Sequence, residues 1–192
     1  MDRVPLRAVV SNPTTKATEP GPFIALEHLD GAMGRLLPEL AIGERPAGDS
    51  IEFRPGDVLF GKLRPYLAKS LLVTEQGHCS SELLVLRPDM KKLEPRYLAY
   101  VVQTHDFVEW ANRDSYGVKM PRTSWQALSG FPLPLPSLDE QREIAEQLDR
   151  EADRIDLLLE LAERERRLLR ERRRALFNQT LFADTSGTGF DS

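Results

Sequence analysis

The stretch 134–153, PLPSLDEQREIAEQLDREAD, changes character at Ser137. Before it, prolines alternate with leucine, which is typical of an extended edge strand that lacks some backbone donors. After it, Ser137 and Glu140 have the spacing of a capping box, in which each side chain bonds to the other residue's backbone amide. Asp139 and Glu143 add negative charge at the positive end of the helix dipole. The stretch therefore predicts where a compact domain ends and a helix begins.

The sequence that follows predicts one long helix. No Gly or Pro interrupts the chain from 138 to 186, and a helix over 138–177 would be about 60 Å long. Apolar residues recur at heptad spacing, although Glu151, Glu165 and Arg172 interrupt the second seam position. The predicted seam consists of Ile144, Leu148, Ile155, Leu158, Ala162, Leu169 and Leu176. Because an isolated helix would expose all these side chains, we expect a helix packed against a partner helix.

Charge along the helix favours antiparallel pairing of two copies. Residues 139–163 contain ten acids and three Arg, whereas residues 164–174 contain seven Arg and two Glu. A parallel pair would set like charges side by side, and an antiparallel pair sets acidic against basic. Exposed ion pairs contribute only a few tenths of a kcal/mol each, so they select orientation more than they add stability. The Arg-rich run also fits a solvated face or a contact with nucleic acid.

Upstream of the helix, residues 1–136 predict a mixed α/β domain with antiparallel strands. Residues 4–49 are rich in Pro and Gly, with a short strand at 23–26. Apolar and β-branched runs bounded by turns predict further strands. These strands are 51–53, 58–63, 66–75 and 81–88, and the proline-rich segment 131–136 is expected to be an edge strand or an extended cover.

Two helices are predicted inside this domain. Apolar residues at helical spacing predict one helix from Pro95 to about Ala111, and Thr123 with Gln126 forms a capping-box pattern for a shorter one. The fold class is α+β: a domain over 1–136, a long helix over 137–178, and a flexible tail over 179–192.

Composition suits one ordinary domain with an appendage. The chain has 192 residues, of which 41% are hydrophobic and 29% charged, with a net charge of −4. It contains no apolar run of the roughly 20 residues that span a bilayer, and its N-terminus has no signal-peptide pattern. The single cysteine, Cys79, excludes an internal disulfide and a thiolate metal cluster. A cytoplasmic location is expected.

The sequence contains no recognisable catalytic constellation. It lacks a GxxxxGK[ST] phosphate loop and a GxGxxG dinucleotide loop, and its three His lie in unrelated segments. Each His is therefore expected to be structural, and no metal site is expected. A nuclease pattern can be drawn through Asp57, Glu82 and Asp89-Met90-Lys91, but the PDMKK segment has the composition of a turn. A binding or assembly role is favoured over catalysis.

Two stretches have the residue types of a nucleic-acid interface. GKLRPYLAKS (61–70) and NRDSYGVKMPRTSW (112–125) combine cations with tyrosine. Cationic side chains hold phosphates, and Arg or Lys can read guanine edges, so the two stretches together favour DNA binding. The alternative for any single residue is an ordinary surface charge. The candidate DNA-binding residues are Lys62, Arg64, Tyr66, Lys69, Tyr116, Lys119 and Arg122.

From residue 3 to 178 the order of these motifs resembles the specificity subunits of type I restriction–modification systems. The resemblance runs through GDVLFGKLRPYLAKSLLV, SSELLVLRP, YLAYVVQTHDFVEWA, SYGVKMPRTSWQAL and FPLPLPSLDEQREIAEQLD. Its most specific part is the proline-alternating strand followed by Asp139-Glu140-Gln141, Ile144, Ala145 and Leu148.

The resemblance implies a non-catalytic subunit that recognises double-stranded DNA. It also implies that Lys62, Arg64, Tyr66 and Lys69 position phosphates, and that Tyr116, Lys119 and Arg122 reach bases. Such subunits carry no cofactor of their own. They position methyltransferase subunits, which use S-adenosylmethionine, and restriction subunits, which use ATP and Mg²⁺. Family members usually have two target recognition domains and two antiparallel spacer helices, whereas this sequence has one of each. That departure implies a half-length subunit that reads a bipartite target as a homodimer or with another half.

Two other classes of function stay open. One is a compact metal-dependent nuclease with a helical dimerisation arm. The other is a coiled-coil adaptor that binds no DNA.

Overall fold

The computed structural model describes residues 3–31, 34–37, 44–45, 50–113 and 121–182. Its contacts divide the chain into two compact units, Met1–Ala145 and Glu146–Ser192. The described strands are β1 (Arg3–Pro5), β2 (Val10–Ser11), β3 (Gly21–Ile24), β4 (Glu44–Arg45), β5 (Ile51–Phe53), β6 (Val58–Gly61), β7 (Ser70–Leu72), β8 (Gly77–Cys79), β9 (Leu83–Pro88) and β10 (Pro132–Pro134). The described α-helices are α1 (Pro95–Val101), α2 (His105–Arg113), α3 (Trp125–Leu128) and α4 (Leu138–Phe182). The predicted α+β class with one long C-terminal helix is confirmed.

The centre of the first unit is an antiparallel sheet in the order β2-β9-β6-β7. Both faces of this sheet are buried, so alternate side chains of its middle strands enter different cores. The first core contains Val58, Phe60, Leu84 and Leu86 together with residues of α1, α2 and α3. The second core contains Leu59, Leu83 and Val85. This double burial explains why VLFG and LLVL are continuous apolar runs.

A second sheet, in the order β4-β3-β8-β5, closes the second core. Its pair β3–β8 is parallel, and β4 and β5 join it in antiparallel register. Ile24, Phe53 and Cys79 extend from these strands into the second core. The strand predicted at 23–26 therefore exists, although it ends at Ile24.

Two predicted elements are interrupted in the structure. The prediction of a single helix from Pro95 is wrong, because the helix is interrupted between Val101 and His105 and forms α1 and α2. The Thr104 hydroxyl donates to the Val101 carbonyl and accepts from the Phe107 amide. A threonine side chain that bonds to the backbone in this way competes with the helical pattern. The strand predicted at 66–75 is also wrong in its first part, where the chain forms a 3-10 helix at Pro65–Leu67 before β7.

The cap of α3 lies one residue later than predicted. Ser124, not Thr123, is the N-cap, and its hydroxyl accepts from the Ala127 amide at 3.3 Å. The Thr123 hydroxyl is buried without a hydrogen-bond partner among the described residues. The short helix is therefore present, with a different capping residue.

The first turns of α4 belong to the first unit. The predicted capping box is present, since the Ser137 amide donates to Glu140 at 2.8 Å and the Glu140 amide donates to the Ser137 hydroxyl at 3.4 Å. The predicted edge strand is β10, which pairs with β1. About two turns into α4, Ala145 is fully buried and Ile144 packs against the first core.

Beyond Ala145, the side chains of α4 are mostly exposed. The predicted seam residues Leu148, Ile155, Leu158, Leu169 and Leu176 are 39–58% exposed in the single chain. The helix continues past residue 178 to Phe182, and residues 183–192 of the expected tail lie outside the described residues. No helix in the described part of the chain is long and apolar enough to span a membrane.

Candidate nucleic-acid interface

One end of the central sheet brings the two basic stretches together. The segment that leaves β6 pairs with the segment that enters α3, through an antiparallel bridge between Leu63 and Arg122. On either side, the Thr123 amide donates to the Lys62 carbonyl at 2.9 Å, and the Arg64 amide donates to the Pro121 carbonyl at 2.8 Å. Residues about sixty positions apart therefore form one surface, which contains the candidate residues Lys62, Arg64 and Arg122.

The β8–β9 connection supplies the partners of two of these cations. The Lys62 ammonium donates to the Ser81 carbonyl at 2.6 Å, and the Arg122 guanidinium pairs with the Glu82 carboxylate. Partial burial lowers the pKa of Lys62, and the negative charge of Glu82 opposes that shift. Glu82 therefore fixes the direction of Arg122 and keeps one negative charge beside both cations.

The turn at residues 64–68 has a strained backbone. Arg64 (φ 50°, ψ 59°) and Ala68 (φ 50°, ψ 28°) both adopt the left-handed conformation, and the 3-10 helix Pro65–Leu67 lies between them. For residues with a Cβ this conformation costs roughly 1–2 kcal/mol each. Pro65 is buried, whereas Tyr66 is 51% and Leu67 39% exposed. The strain thus accompanies an apolar tip that points away from the core.

The contacts of this turn explain how it is held in place. The Lys69 ammonium donates to the Leu26 carbonyl at 3.2 Å, and the Gly61 amide donates to the Lys69 carbonyl at 2.8 Å. Gly31 approaches so closely that a Cβ there would lie 2.8 Å from the Leu67 carbonyl oxygen. The turn is therefore fixed by backbone contacts on both sides.

Arg64 differs from the other described cations of this surface. Lys62, Lys69 and Arg122 each bond to a protein oxygen. The exposed Arg64 guanidinium has no hydrogen bond or ion pair within the ranges that the structure describes. Among the described cations of this surface, Arg64 is therefore the one whose donors are all available to a ligand.

The other two predicted DNA-binding residues, Tyr116 and Lys119, lie outside the described residues. Their roles stay predictions, as do those of the residues whose geometry is known.

The residues of the nuclease pattern do not meet. In the β6–β9 register, Val58 faces Leu86 and Gly61 faces Leu83, so Asp57 and Glu82 lie at opposite ends of the sheet. Asp57 is buried and pairs with Arg87 through two bonds of 2.7 and 2.8 Å, which raise the pKa of the guanidinium. Among the described residues, no three His, Cys, Asp or Glu side chains form a metal-binding group.

Two of the histidines, His78 and His28, make hydrogen bonds within the fold. The His78 ring lies 2.6 Å from the Ser50 hydroxyl and 3.0 Å from the Gly21 carbonyl, between the strands of the second sheet. His28 accepts a bond from the Ala25 amide within its own turn. These contacts agree with the structural roles that the sequence predicts.

Two residues, Glu82 and Gln141, make important contacts that were not predicted from the sequence. Glu82 is 40 positions from Arg122, so no local pattern points to the pair. Gln141 was noted only as part of a motif, yet its fully buried side chain makes three hydrogen bonds of 2.8–2.9 Å. An uncharged amide within a highly charged helix start is the signal that could have identified it.

Comparison with known proteins defines the class. The family model described as the type I restriction modification DNA specificity domain matches residues 49–163, which include the whole described interface and the first part of α4. The chain belongs to this family. The family is named for DNA specificity rather than for a catalytic activity, in agreement with the expected recognition role.

Individual relatives cover different parts of the chain. Over 108 residues it is 34% identical to the Type I restriction enzyme EcoDI specificity subunit of Escherichia coli, a match over 55% of this chain and 24% of that protein. Its fold is similar to the HsdS subunit of Thermoanaerobacter tengcongensis (TM-score 0.71, 21% identity) and the S subunit of M. genitalium (0.56, 13%). These matches cover 98% and 96% of this chain but 51% and 46% of those chains. The chain thus spans about a quarter of the curated relative and half of the solved ones.

Proposed function

We propose that this chain, which carries one recognition domain and one long helix, acts as a specificity subunit that recognises double-stranded DNA and dimerises through α4. The observation that carries the proposal is the family match over 49–163, which includes both the basic surface and the start of the helix. A two-fold dimer would read the same half-site twice in inverted orientation, giving a bipartite, palindromic target.

DNA recognition is supported by the surface around Arg64. Arg64 offers a free guanidinium, while Lys62, Lys69 and Arg122 lie beside it with their directions fixed by carbonyls or by Glu82. Fixed cations suit phosphate contacts, which set register. Tyr116 and Lys119 complete the proposed DNA-binding set.

Dimerisation is supported by the exposed apolar side chains of α4. Ile155, Leu158 and Leu169 are each more than half exposed in the single chain, which is unfavourable unless a partner covers them. Ile144 is partly covered by the first core, so the proposed seam begins in effect at Leu148. Leu148, Ile155, Leu158, Ala162, Leu169 and Leu176 would then face the antiparallel twin.

The proposal extends to the rest of the complex. The chain would position methyltransferase subunits, which bring S-adenosylmethionine, and restriction subunits, which bring ATP and Mg²⁺, in the cytoplasm. One solved structure of similar fold (TM-score 0.72, 21% identity) is titled for the complex assembly and conformational transition of the type I R-M system. The chain itself would contribute recognition and geometry, with no cofactor of its own.

A binding experiment tests the bipartite target. Duplexes enriched from a random pool by the full-length protein, with and without a methyltransferase subunit, should contain two inverted half-sites at a fixed spacing. A duplex with one half-site deleted should bind at least tenfold more weakly. Equal affinity for the two duplexes would contradict recognition of the target by a dimer. Failure to enrich any duplex, with or without the methyltransferase subunit, would contradict DNA recognition.

Distances between spin labels test the direction of pairing. With Cys79 replaced by serine, single cysteines at Gln147, Glu160 and Asn178 would carry one label per chain. In a parallel pair the twin labels lie at the same height, so at every position their separation stays within the width of the helix pair, roughly 10–25 Å. In an antiparallel pair the separation along the axis grows by about 3 Å for each residue from the centre of the pair. Separations within the width of the pair at all three positions would refute the antiparallel arrangement.

A further inference from the structure

We propose that residues 64–68 form a rigid apolar tip that enters a groove of duplex DNA. There the side chains of Tyr66 and Leu67 pack against nucleobases while Arg64 binds the neighbouring phosphate. This inference rests on the proposed DNA recognition and assigns to Tyr66 a role different from phosphate positioning.

The exposure of the tip is the first argument. Two adjacent large apolar side chains, Tyr66 and Leu67, are exposed, while the residue before them, Pro65, is buried and anchors the turn. They border an open cleft of about 580 Å³ together with Asp30 and Gln103. The side chains therefore face open space rather than the core.

The backbone is the second argument. Strained left-handed residues persist only where surrounding contacts fix them, and such strain is often found at functional sites. Here Arg64 and Ala68 are held by the Arg64–Pro121 and Gly61–Lys69 hydrogen bonds and by close contact with Gly31. A tip that is already ordered loses little conformational freedom on binding.

The distribution of charge identifies duplex DNA as the occupant. The tip begins at the free guanidinium of Arg64 and lies beside Lys62 and Arg122. A polyanion with an apolar interior satisfies both kinds of group, since cations hold phosphates and apolar side chains contact base steps in a groove. A wholly apolar partner would leave the cations desolvated.

The salt dependence of binding distinguishes the two roles. The probe is the duplex enriched from a random pool by the wild-type full-length protein. Tyr66→Ser and Leu67→Ser should each weaken binding roughly five- to hundredfold, with no change in the slope of log K against log salt concentration. Arg64→Ala should reduce that slope by about one. Tyr66→Phe should restore most of the affinity, because the ring makes the contact.

A matched control lies at the other end of the sheet. Met90 is 59% exposed and approaches Gly56, near the beginning of β6 rather than its end. Met90→Ser should bind the duplex like the wild type, and urea unfolding should show that all variants keep the wild-type fold.

Three outcomes would overturn the inference. If Tyr66→Ser and Leu67→Ser each bind like Met90→Ser while Arg64→Ala weakens binding, the proposed function stands and the role of the apolar tip is refuted. Unchanged duplex binding with lost methyltransferase assembly would assign the tip to a protein contact. Failure of the wild-type protein to enrich a duplex would overturn the proposed function, and this inference with it.

Discussion

Gln141 joins the start of α4 to the first unit through its side-chain amide. Its oxygen accepts from the Glu94 amide at 2.8 Å, and its nitrogen donates to the carbonyls of Lys92 and Pro136. Because the side chain is fully buried, it makes all three of these hydrogen bonds away from solvent. The glutamine thus has a purely structural reason to occupy this place in the motif.

Replacing Gln141 by leucine should destabilise the protein by about 2–4 kcal/mol. The substitution replaces the hydrogen-bond partner of the Lys92, Glu94 and Pro136 backbone groups with a buried apolar side chain, and each lost bond costs roughly 1 kcal/mol. Urea unfolding followed by circular dichroism measures the change. The matched control is Gln147→Leu, an exposed position on the same helix, which should change the stability by less than about 0.5 kcal/mol. Equal effects of the two substitutions would contradict the assignment.

Cys79 should make stability fall steeply in alkaline solution. Burial raises the pKa of the thiol from 9.0 to about 12, whereas the unfolded chain releases this proton near pH 9. The neutral thiol therefore contributes its full stability below pH 9, and that contribution is lost as the pH rises from 9 towards 12. The expected slope is roughly 1 kcal/mol per pH unit, measured by urea unfolding between pH 8 and 11. The same series for Cys79→Ala should fall less steeply, and parallel curves would contradict the prediction.

Among the elements, the turn at residues 64–68 offers a direct measurement of strain. Ala68→Gly should stabilise the protein by about 0.5–1 kcal/mol, because glycine adopts φ 50° without the clash of a Cβ. The measurement is again the free energy of unfolding in urea.

The control for Ala68→Gly is the same substitution in a right-handed helix. Ala99→Gly in α1 should destabilise by about 1 kcal/mol or more, as glycine does in a helix interior. If both substitutions destabilise equally, the left-handed backbone of Ala68 carries no strain.

Elements specified by neighbouring residues could be predicted from sequence, and those that depend on distant contacts could not. The capping box at Ser137 and Glu140 is local, so the start of α4 was predicted at the right residue. The break at Thr104 was missed because a side-chain bond overrode a helical apolar pattern. The bridge between Leu63 and Arg122 depends on tertiary folding, so the sequence named Arg64 and Arg122 as candidates without showing that their segments meet.

For the molecule as a whole, the exposed helix predicts association. Ile155→Asp combined with Leu169→Asp should convert the proposed dimer to a monomer, because each buried unpaired carboxylate would cost several kcal/mol at the seam. Light scattering should show the mass fall from twice the chain mass to 21.8 kDa.

Leu157→Asp provides the control for the seam. Leu157 is as exposed as Ile155 but lies about 200° around the helix from it, so the variant should stay dimeric. An unchanged mass for the double seam variant, or a monomer for Leu157→Asp, would show that the seam is wrongly placed.

Because Gln141 and Ala145 attach the start of α4 to the domain, two equilibria should affect this one helix. They are the unfolding of the domain and the dissociation of the proposed dimer. Deuterium uptake at the amides around residues 141–145 should track the opening of the folded domain, because those amides lie where the helix is buried. Uptake beyond residue 150 should instead rise on dilution, as twin chains separate and expose the rest of the helix. In one series of protein concentrations, deuterium uptake at the start of α4 should therefore stay constant, while uptake beyond residue 150 should change with the fraction of paired chains.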